Sequence, residues 1–412
     1  MKTSLTTPRK LGLLTSLYLS QGLPYGFFTQ ALPVLLREQG LSLPAIGMTH
    51  LLALPWALKF LWAPWMDRYG SETWGRRRGY ILPLQALSAA LLLGLGLSEG
   101  TVGMPVLMGA VLLVNLLAAT QDVATDGLAV ELLAPAERGW GNGIQVAGYR
   151  VGMILGGGLM LLVFARLGWR PTLWSLGAML LVATVPVALF REPRGPPPAA
   201  RAASAWRWLG ESLAYWGRRP GMGAWFTLLV LFKAGESMAS GMVRTFLVDV
   251  GLGLEQVGWM LGFVGFTTGL LGALGGGALV NRLGHRRALL VFGTFQAVAV
   301  GLYALAARGG ASLPVLALVC GVEHLASGMA TAALFTGMMD LCRPEHAASD
   351  YTLQASLVVL ATGSAAAVSG WSAEALGYAA HFTLAAAVCA LAVAWVAATV
   401  RPGTLAHPDV AP

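Results

Sequence analysis

Charge is what this chain has least of. Of its 412 residues only 11% are charged while 56% are hydrophobic. A water-soluble domain carries about a quarter charged, so a water-facing surface of ordinary size is excluded. Cysteine is almost as scarce: Cys320, Cys342 and Cys389 all fall in the second half, without the spacing of a disulfide framework or a metal site. Catalytic motifs are lacking as well. There is no Gly-x-Ser-x-Gly elbow, no Gly-x-x-x-x-Gly-Lys-Ser/Thr phosphate cradle and no His-x-x-x-His pair. That argues against an enzyme and an ATP-driven pump, and leaves no cofactor or metal to expect. The net charge of +8 does not suggest nucleic acid, because the arginines sit in turns between apolar runs. The start, Met1 to Lys10, is short and basic and leads into an apolar run without a small-residue cleavage site, so no removable signal peptide is expected.

What is present instead is apolar length. Runs long enough to cross a hydrocarbon core, about 20 residues of helix, recur twelve times, at 11–36, 43–66, 79–98, 104–131, 140–165, 171–190, 222–247, 254–280, 288–308, 313–341, 349–371 and 376–400. They predict an all-α integral membrane protein. The 53 glycines suit helices that pack through small side chains, and the glycine-dense stretch from Gly148 to Gly158 is read as a close helix approach. Lysine and arginine fix the orientation: nineteen lie on one side of the spans and five on the other, which puts both termini in the cytoplasm. A linker beginning Arg191-Glu192-Pro193-Arg194 cannot continue a helix through its prolines. Beyond it Trp206, Leu209, Leu213 and Trp216 recur at helical spacing beside Arg207, Arg218 and Arg219, the pattern of a short helix lying on the membrane surface.

A charge at the centre of a spanning helix costs about 2.5–3.5 kcal/mol on insertion scales, so each needs a partner or a purpose. Asp122 and Asp126 are four apart and share a face of the fourth span. Arg150 on the fifth span, with Gln145 and Tyr149 nearby, is the nearest strong cation within a span. The pair reads either as a structural ion-pair cluster or, for the deeper Asp122, as part of a solute pathway. Lys59, set among Pro55, Trp56, Trp62, Pro64 and Trp65, either snorkels to the interface or meets an anionic solute; the second reading is preferred. Lys233 and Glu236 are three apart and can satisfy each other. Glu323 and His324 have no lysine or arginine on their own helix and are free to titrate. His50 and His381, near span ends, read as ordinary interfacial residues.

Two turns share one form. Asp67-Arg68-Tyr69-Gly70, trailed by Arg76, Arg77 and Arg78, joins one pair of spans; Asn281-Arg282-Leu283-Gly284-His285-Arg286-Arg287 joins another some two hundred residues on. Such turns resemble the cytoplasmic loop signature of major facilitator transporters. The stretch Leu54-Pro55-Trp56-Ala57-Leu58-Lys59 through Asp67-Arg68 resembles the AmpG-like group within them, as do Gln121-Asp122-Val123-Ala124-Thr125-Asp126-Gly127, Gly148-Tyr149-Arg150-Val151-Gly152, Phe232-Lys233-Ala234-Gly235-Glu236 and Gly321-Val322-Glu323. The resemblance covers nearly the whole chain. It implies a major facilitator fold of two pseudo-symmetric six-helix bundles, 1–190 and 222–412, joined by a cytoplasmic linker over 191–221. The opening Tyr18-Leu19-Ser20-Gln21-Gly22-Leu23-Pro24-Tyr25 looks closest to the RhtX/FptX-type siderophore branch. Asn281 departs from the signature's acid, so the arginine network expected at the turn is reduced in the second half.

The resemblance implies a monomeric, proton-driven importer in a bacterial inner membrane. Its solute is expected to be a siderophore, with a muropeptide as the alternative and export of a small metabolite or a non-transporting receptor ranked below. Its partners are then a small molecule, protons and the bilayer. The solute residues expected are Gln21, Lys59, Asp122, Gln145, Tyr149, Arg150 and Glu236. Glu323 and then Asp122 are the expected proton carriers, and Asp67, Arg68, Arg76, Arg77, Asp126, Arg282 and Arg286 the cytoplasmic gate.

Overall fold

The computed structural model describes residues 6–33, 36, 52, 54–71, 73–98, 103–192 and 205–400. Arg37, His50, Arg194 and the proline run of the linker lie outside them. Among the described residues ten helical stretches are long and apolar enough to cross a membrane. The expected spans over 11–36 and 43–66 fall partly outside.

Helix α1 (Thr7–Gly26) runs on through a π-helical turn, Phe27–Ala31. The second expected span is not one helix where it is described. It comprises α2 (Leu54–Leu58), a 3-10 turn at Lys59–Leu61 and α3 (Ala63–Arg68). Pro64 explains the break: its ring lacks the N–H of the helical ladder and clashes with the carbonyl one turn back. Lys59 is the first residue of the broken turn. Then come α4 (Arg78–Leu97), α5 (Met104–Leu132), α6 (Arg138–Ile154) with a π-helical turn at Leu155–Leu159, α7 (Met160–Leu167) and α8 (Trp169–Leu189). The surface helix expected after the linker is α9 (Ala205–Arg218). The second half holds α10 (Met222–Asp249), α11 (Leu254–Gly258) with a π-helical turn at Trp259–Gly265, α12 (Phe266–Leu283), α13 (His285–Ala306), α14 (Leu313–Asp340), α15 (Ala347–Leu376) and α16 (Tyr378–Thr399).

The described residues form two compact units. The first takes in those of Met1–Leu133, Ala147–Ser212 and Arg343–Leu353, the second those of Ala134–Val146, Leu213–Cys342 and Gln354–Pro412. In the first, α4 packs on α5 and α8, and α1 on α5 and α8; its core joins Leu23, Phe27, Phe28, Trp56, Leu92, Val114 and Leu176. In the second, α13 packs on α14 and α16 as α4 does on α5 and α8, while α12 packs on α14 and α10 on α16. Phe246, Met260, Tyr303, Leu316 and Phe382 anchor its core.

The internal repeat shows in single residues. In each half the last two spans are joined by one glycine at positive φ, Gly168 (+80°) and Gly377 (+76°), a conformation glycine adopts without steric cost. Arg78 donates to the carbonyls of Val187 (3.1 Å) and Ala188 (2.7 Å) at the C-terminus of α8. Arg286 does the same at the C-terminus of α16, to Val400 (2.7 Å) and Ala397 (3.2 Å). Outward faces are apolar, with Val182, Leu189 and Trp371 each more than 70% exposed, as a lipid-facing surface requires.

Candidate functional site

The residues that sequence marks as costly are gathered, within the first unit, around Lys59. The broken second span directs Lys59 inward, 3% exposed. Its Nζ pairs with Asp122 and lies 3.7 Å from Asp126. Both carboxylates come from the buried face of α5, four residues apart. Tyr18 of α1 donates its hydroxyl to Asp126 Oδ1 at 3.2 Å. Alongside, Gln85 and Gln121 each donate to Ser20 Oγ, at 2.8 and 2.9 Å. Lys59 thus joins α5 to the second span, and its ammonium is already engaged by carboxylates. The nearest in-span cation in sequence, Arg150, is half-buried on α6; the cation that closes on Asp122 comes from 63 residues away. Asp126, expected among the gate residues, sits in this cluster, beside Lys59 and Tyr18.

Aromatic rings lie against the same lysine. Lys59 Nζ is 5.8 Å from the Trp56 ring centre, within cation–π range. Tyr25 meets Trp56 at 5.5 Å and Tyr149 at 5.5 Å, and Trp56 meets Tyr149 at 6.4 Å. Tyr149 was expected here from sequence; Tyr25 and Trp56 were not singled out as solute contacts, although their aromatic character was visible.

In the second unit, Glu236 pairs with Lys233 at 2.6 Å and accepts from Ser327 at 3.1 Å, while Lys233 donates to Thr331 at 3.1 Å. This is the local pair the spacing suggested. Glu323 is 2% exposed, with His324 Nδ1 of its own helix at 2.8 Å. His381 differs from its expectation as an interfacial residue. It is fully buried, bonded to Ser372 (2.7 Å) and to the Met238 carbonyl (3.1 Å).

The signature turn forms a separate network in the first unit. Asp67 accepts from the backbone N–H of Ala348 (3.1 Å) and Ser349 (2.7 Å) and from the Ser349 hydroxyl (2.5 Å). A carboxylate therefore sits on the N-terminus of α15, where free amides and the helix dipole favour negative charge. Arg77, fully buried, holds Asp67 and Glu131 at 2.6 Å each, and Arg76 reaches the Asp67 carbonyl. Burial alone would raise the Asp67 pKa, but Arg77 and the Ser349 donors outweigh it and hold the carboxyl below its usual range. Burial likewise disfavours the charge on Arg77, and Asp67 and Glu131 more than restore it. Arg68 is half-buried and stacks on Tyr69 at 5.3 Å.

The second turn, in the second unit, is built differently. Asn281 donates to the Ala136 carbonyl at 2.7 Å, and Asp340 pairs with Arg138 (2.5 Å) and with His285. Arg282 is exposed and Arg286 caps α16, so neither enters that network. Glu131, Ser349, His285 and Asp340 were missed in the sequence. The acids at the ends of α5 and α14 carry no motif of their own and become legible only when the two halves are laid over each other.

These features define a multi-pass, all-helical membrane protein of the major facilitator fold. The human organic anion transporter MFSD10 superposes with a TM-score of 0.74 at 16% identity, covering 95% of this chain and all of that one. The family model described as acetyl-coenzyme A transporter 1 matches residues 10–166. The anhydromuropeptide permease of Escherichia coli K12 is 31% identical over 382 residues, 91% of this chain and 77% of that permease. An uncharacterized protein of Haemophilus influenzae is 31% identical over 374 residues, 88% of each chain. The chain belongs to the AmpG-like group of the major facilitator superfamily.

Proposed function

We propose that the protein imports an anhydromuropeptide across a bacterial inner membrane by alternating access, driven by protons. The observation that carries this reading is the 31% identity to the anhydromuropeptide permease across 91% of the chain. That likeness moves the solute from the siderophore expected of the opening motif to the alternative. The chemistry agrees. A sugar–peptide needs ring-bearing and polar side chains in otherwise apolar spans, and Gln21, Lys59, Asp122, Gln145, Tyr149, Arg150 and Glu236 are assigned to that lining. The halves 1–190 and 222–412, joined by 191–221, are the bodies assigned to move, with both termini cytoplasmic and the monomer as the working unit.

Proton coupling is assigned to Glu323, with Asp122 second, because buried acids whose partners change between states can bind and release a proton. In proteoliposomes an imposed acid-outside gradient should drive uptake of labelled anhydromuropeptide and not of a ferric siderophore, and a protonophore should abolish it. Siderophore uptake without muropeptide uptake would reverse the assignment. Glu323→Gln should lose accumulation yet keep solute exchange, since the isostere keeps shape but not titration.

A further inference from the structure

Tyr18, Gln21 and Tyr25 recur at helical spacing on one face of α1. Tyr18 meets Asp126 at one end of that face and Tyr25 meets Trp56 and Tyr149 at the other. Lys59 runs alongside, from Asp122 and Asp126 to the Trp56 ring. Gln21 is therefore bracketed by the charge cluster and the rings. Tyr25, Trp56 and Tyr149 meet at interplanar angles of 81°, 48° and 75°, so they stand as three walls of a corner and not as a stack. Tyr25 and Tyr149 keep part of their surface exposed.

Two polar groups in this strip have no hydrogen-bond partner among the described residues. The Gln21 carboxamide is bare at both its nitrogen and its oxygen, in a side chain 1% exposed, and so is the indole N–H of Trp56, 6% exposed. Buried polar groups are satisfied in the great majority of cases, and each exception needs a reason, among them a water or a ligand that supplies the missing bond. The Lys59 ammonium is taken by carboxylates of the protein, so the strip offers rings, an amide and an N–H in place of a free cation.

We propose that this strip is the half-site for the neutral N-acetylated sugar of the solute, distinct from whatever meets its peptide carboxylates. The inference rests on the muropeptide reading. The corner of Tyr25, Trp56 and Tyr149 takes the apolar C–H face of a pyranose. Gln21 and the Trp56 N–H exchange hydrogen bonds with acetamido and hydroxyl groups. A site built on such bonds rejects a solute that leaves them unmade.

The test uses full-length protein in nanodiscs and three probes: intact anhydromuropeptide, the anhydro-disaccharide without peptide, and the free peptide. Gln21→Leu and Trp56→Phe lie on different helices; the first removes the amide while keeping bulk, and the second removes the indole N–H together with part of the ring. Each should weaken disaccharide binding about tenfold or more and leave any free-peptide binding unchanged, and Gln21→Leu should raise the melting temperature of the ligand-free protein because an unmet polar group is gone. If both variants bind disaccharide as the parent does, or lose stability without losing affinity, the groups serve only buried water or packing and the half-site is overturned. If the parent binds the intact solute and ignores the disaccharide, the half-site falls while the transport reading stands. Failure of the parent to bind any sugar-bearing probe sinks both.

Discussion

Lys59 shows what a single residue discloses and what it hides. Its cost in an apolar span was legible, because hydropathy makes any such charge conspicuous. Its partner was not: Asp122 is 63 residues away, and helix packing, which sequence spacing does not encode, brings them together. A buried pair of this kind is expensive to halve. Lys59→Met should cost about 3–5 kcal/mol, since it strands carboxylates in a low-dielectric core. Adding Asp122→Asn should return part of that loss, read as the melting temperature in detergent. A double variant no more stable than the single one would separate Asp122 from Lys59 energetically. His381 teaches the same lesson in reverse. Its position near a span end suggested an interface, yet the Ser372 hydroxyl and the Met238 carbonyl satisfy both ring nitrogens inside the protein.

At the level of the element, the turn after α3 acts as a cap for a helix far away in sequence. Asp67 satisfies two backbone amides at the start of α15, and Asp67→Asn keeps the shape while losing the charge that the helix terminus favours. That substitution should cost about 1–2 kcal/mol and make cysteines placed near Ser349 more reactive, with solute affinity little changed. A selective loss of affinity would place Asp67 in solute binding. The pH dependence has a definite sign. Because the carboxyl is held below its usual range, its contribution is fully present above the unfolded carboxylate pKa of about 4 and is lost only as pH falls further. The ratio of reactivity near Ser349 in Asp67→Asn to that of the same cysteine in the parent, which cancels the thiol's own ionisation, should therefore stay flat between pH 8 and pH 5. A fall within that window would show that Asp67 is not the group holding α15. The turn was legible in sequence as a motif. That Arg286 would cap α16 while Arg77 bridges two acids was not, because the motif lists arginines without saying which carbonyl or carboxylate each will find.

For the molecule as a whole, hydropathy and the repeated turn were enough to fix class and fold. The opening motif is a weak guide to the solute because it is short, and its residues serve packing. Gly22 makes this plain: a Cβ there would overlap the Tyr149 carbonyl and lie 2.9 Å from the Gly152 Cα, and one on Gly156 would lie 2.9 Å from the Leu23 Cα. Gly272 and Gly276 meet Leu325 and Met329 as closely in the second unit. Gly22→Leu should therefore abolish stable folding, seen as loss of the monodisperse peak after purification.

That backbone-to-backbone contact has a use at the bench. Two helices with no side chain between them have no layer in which to slip, so α1 and the glycine-dense part of α6 form a fixed ruler within the first unit. Gly12 and Gly158 lie on its two members with open space around them, free to carry spin labels. The distance between such labels should stay single and narrow with and without solute or proton gradient. It would supply the reference frame against which the displacement of every other helix can be measured.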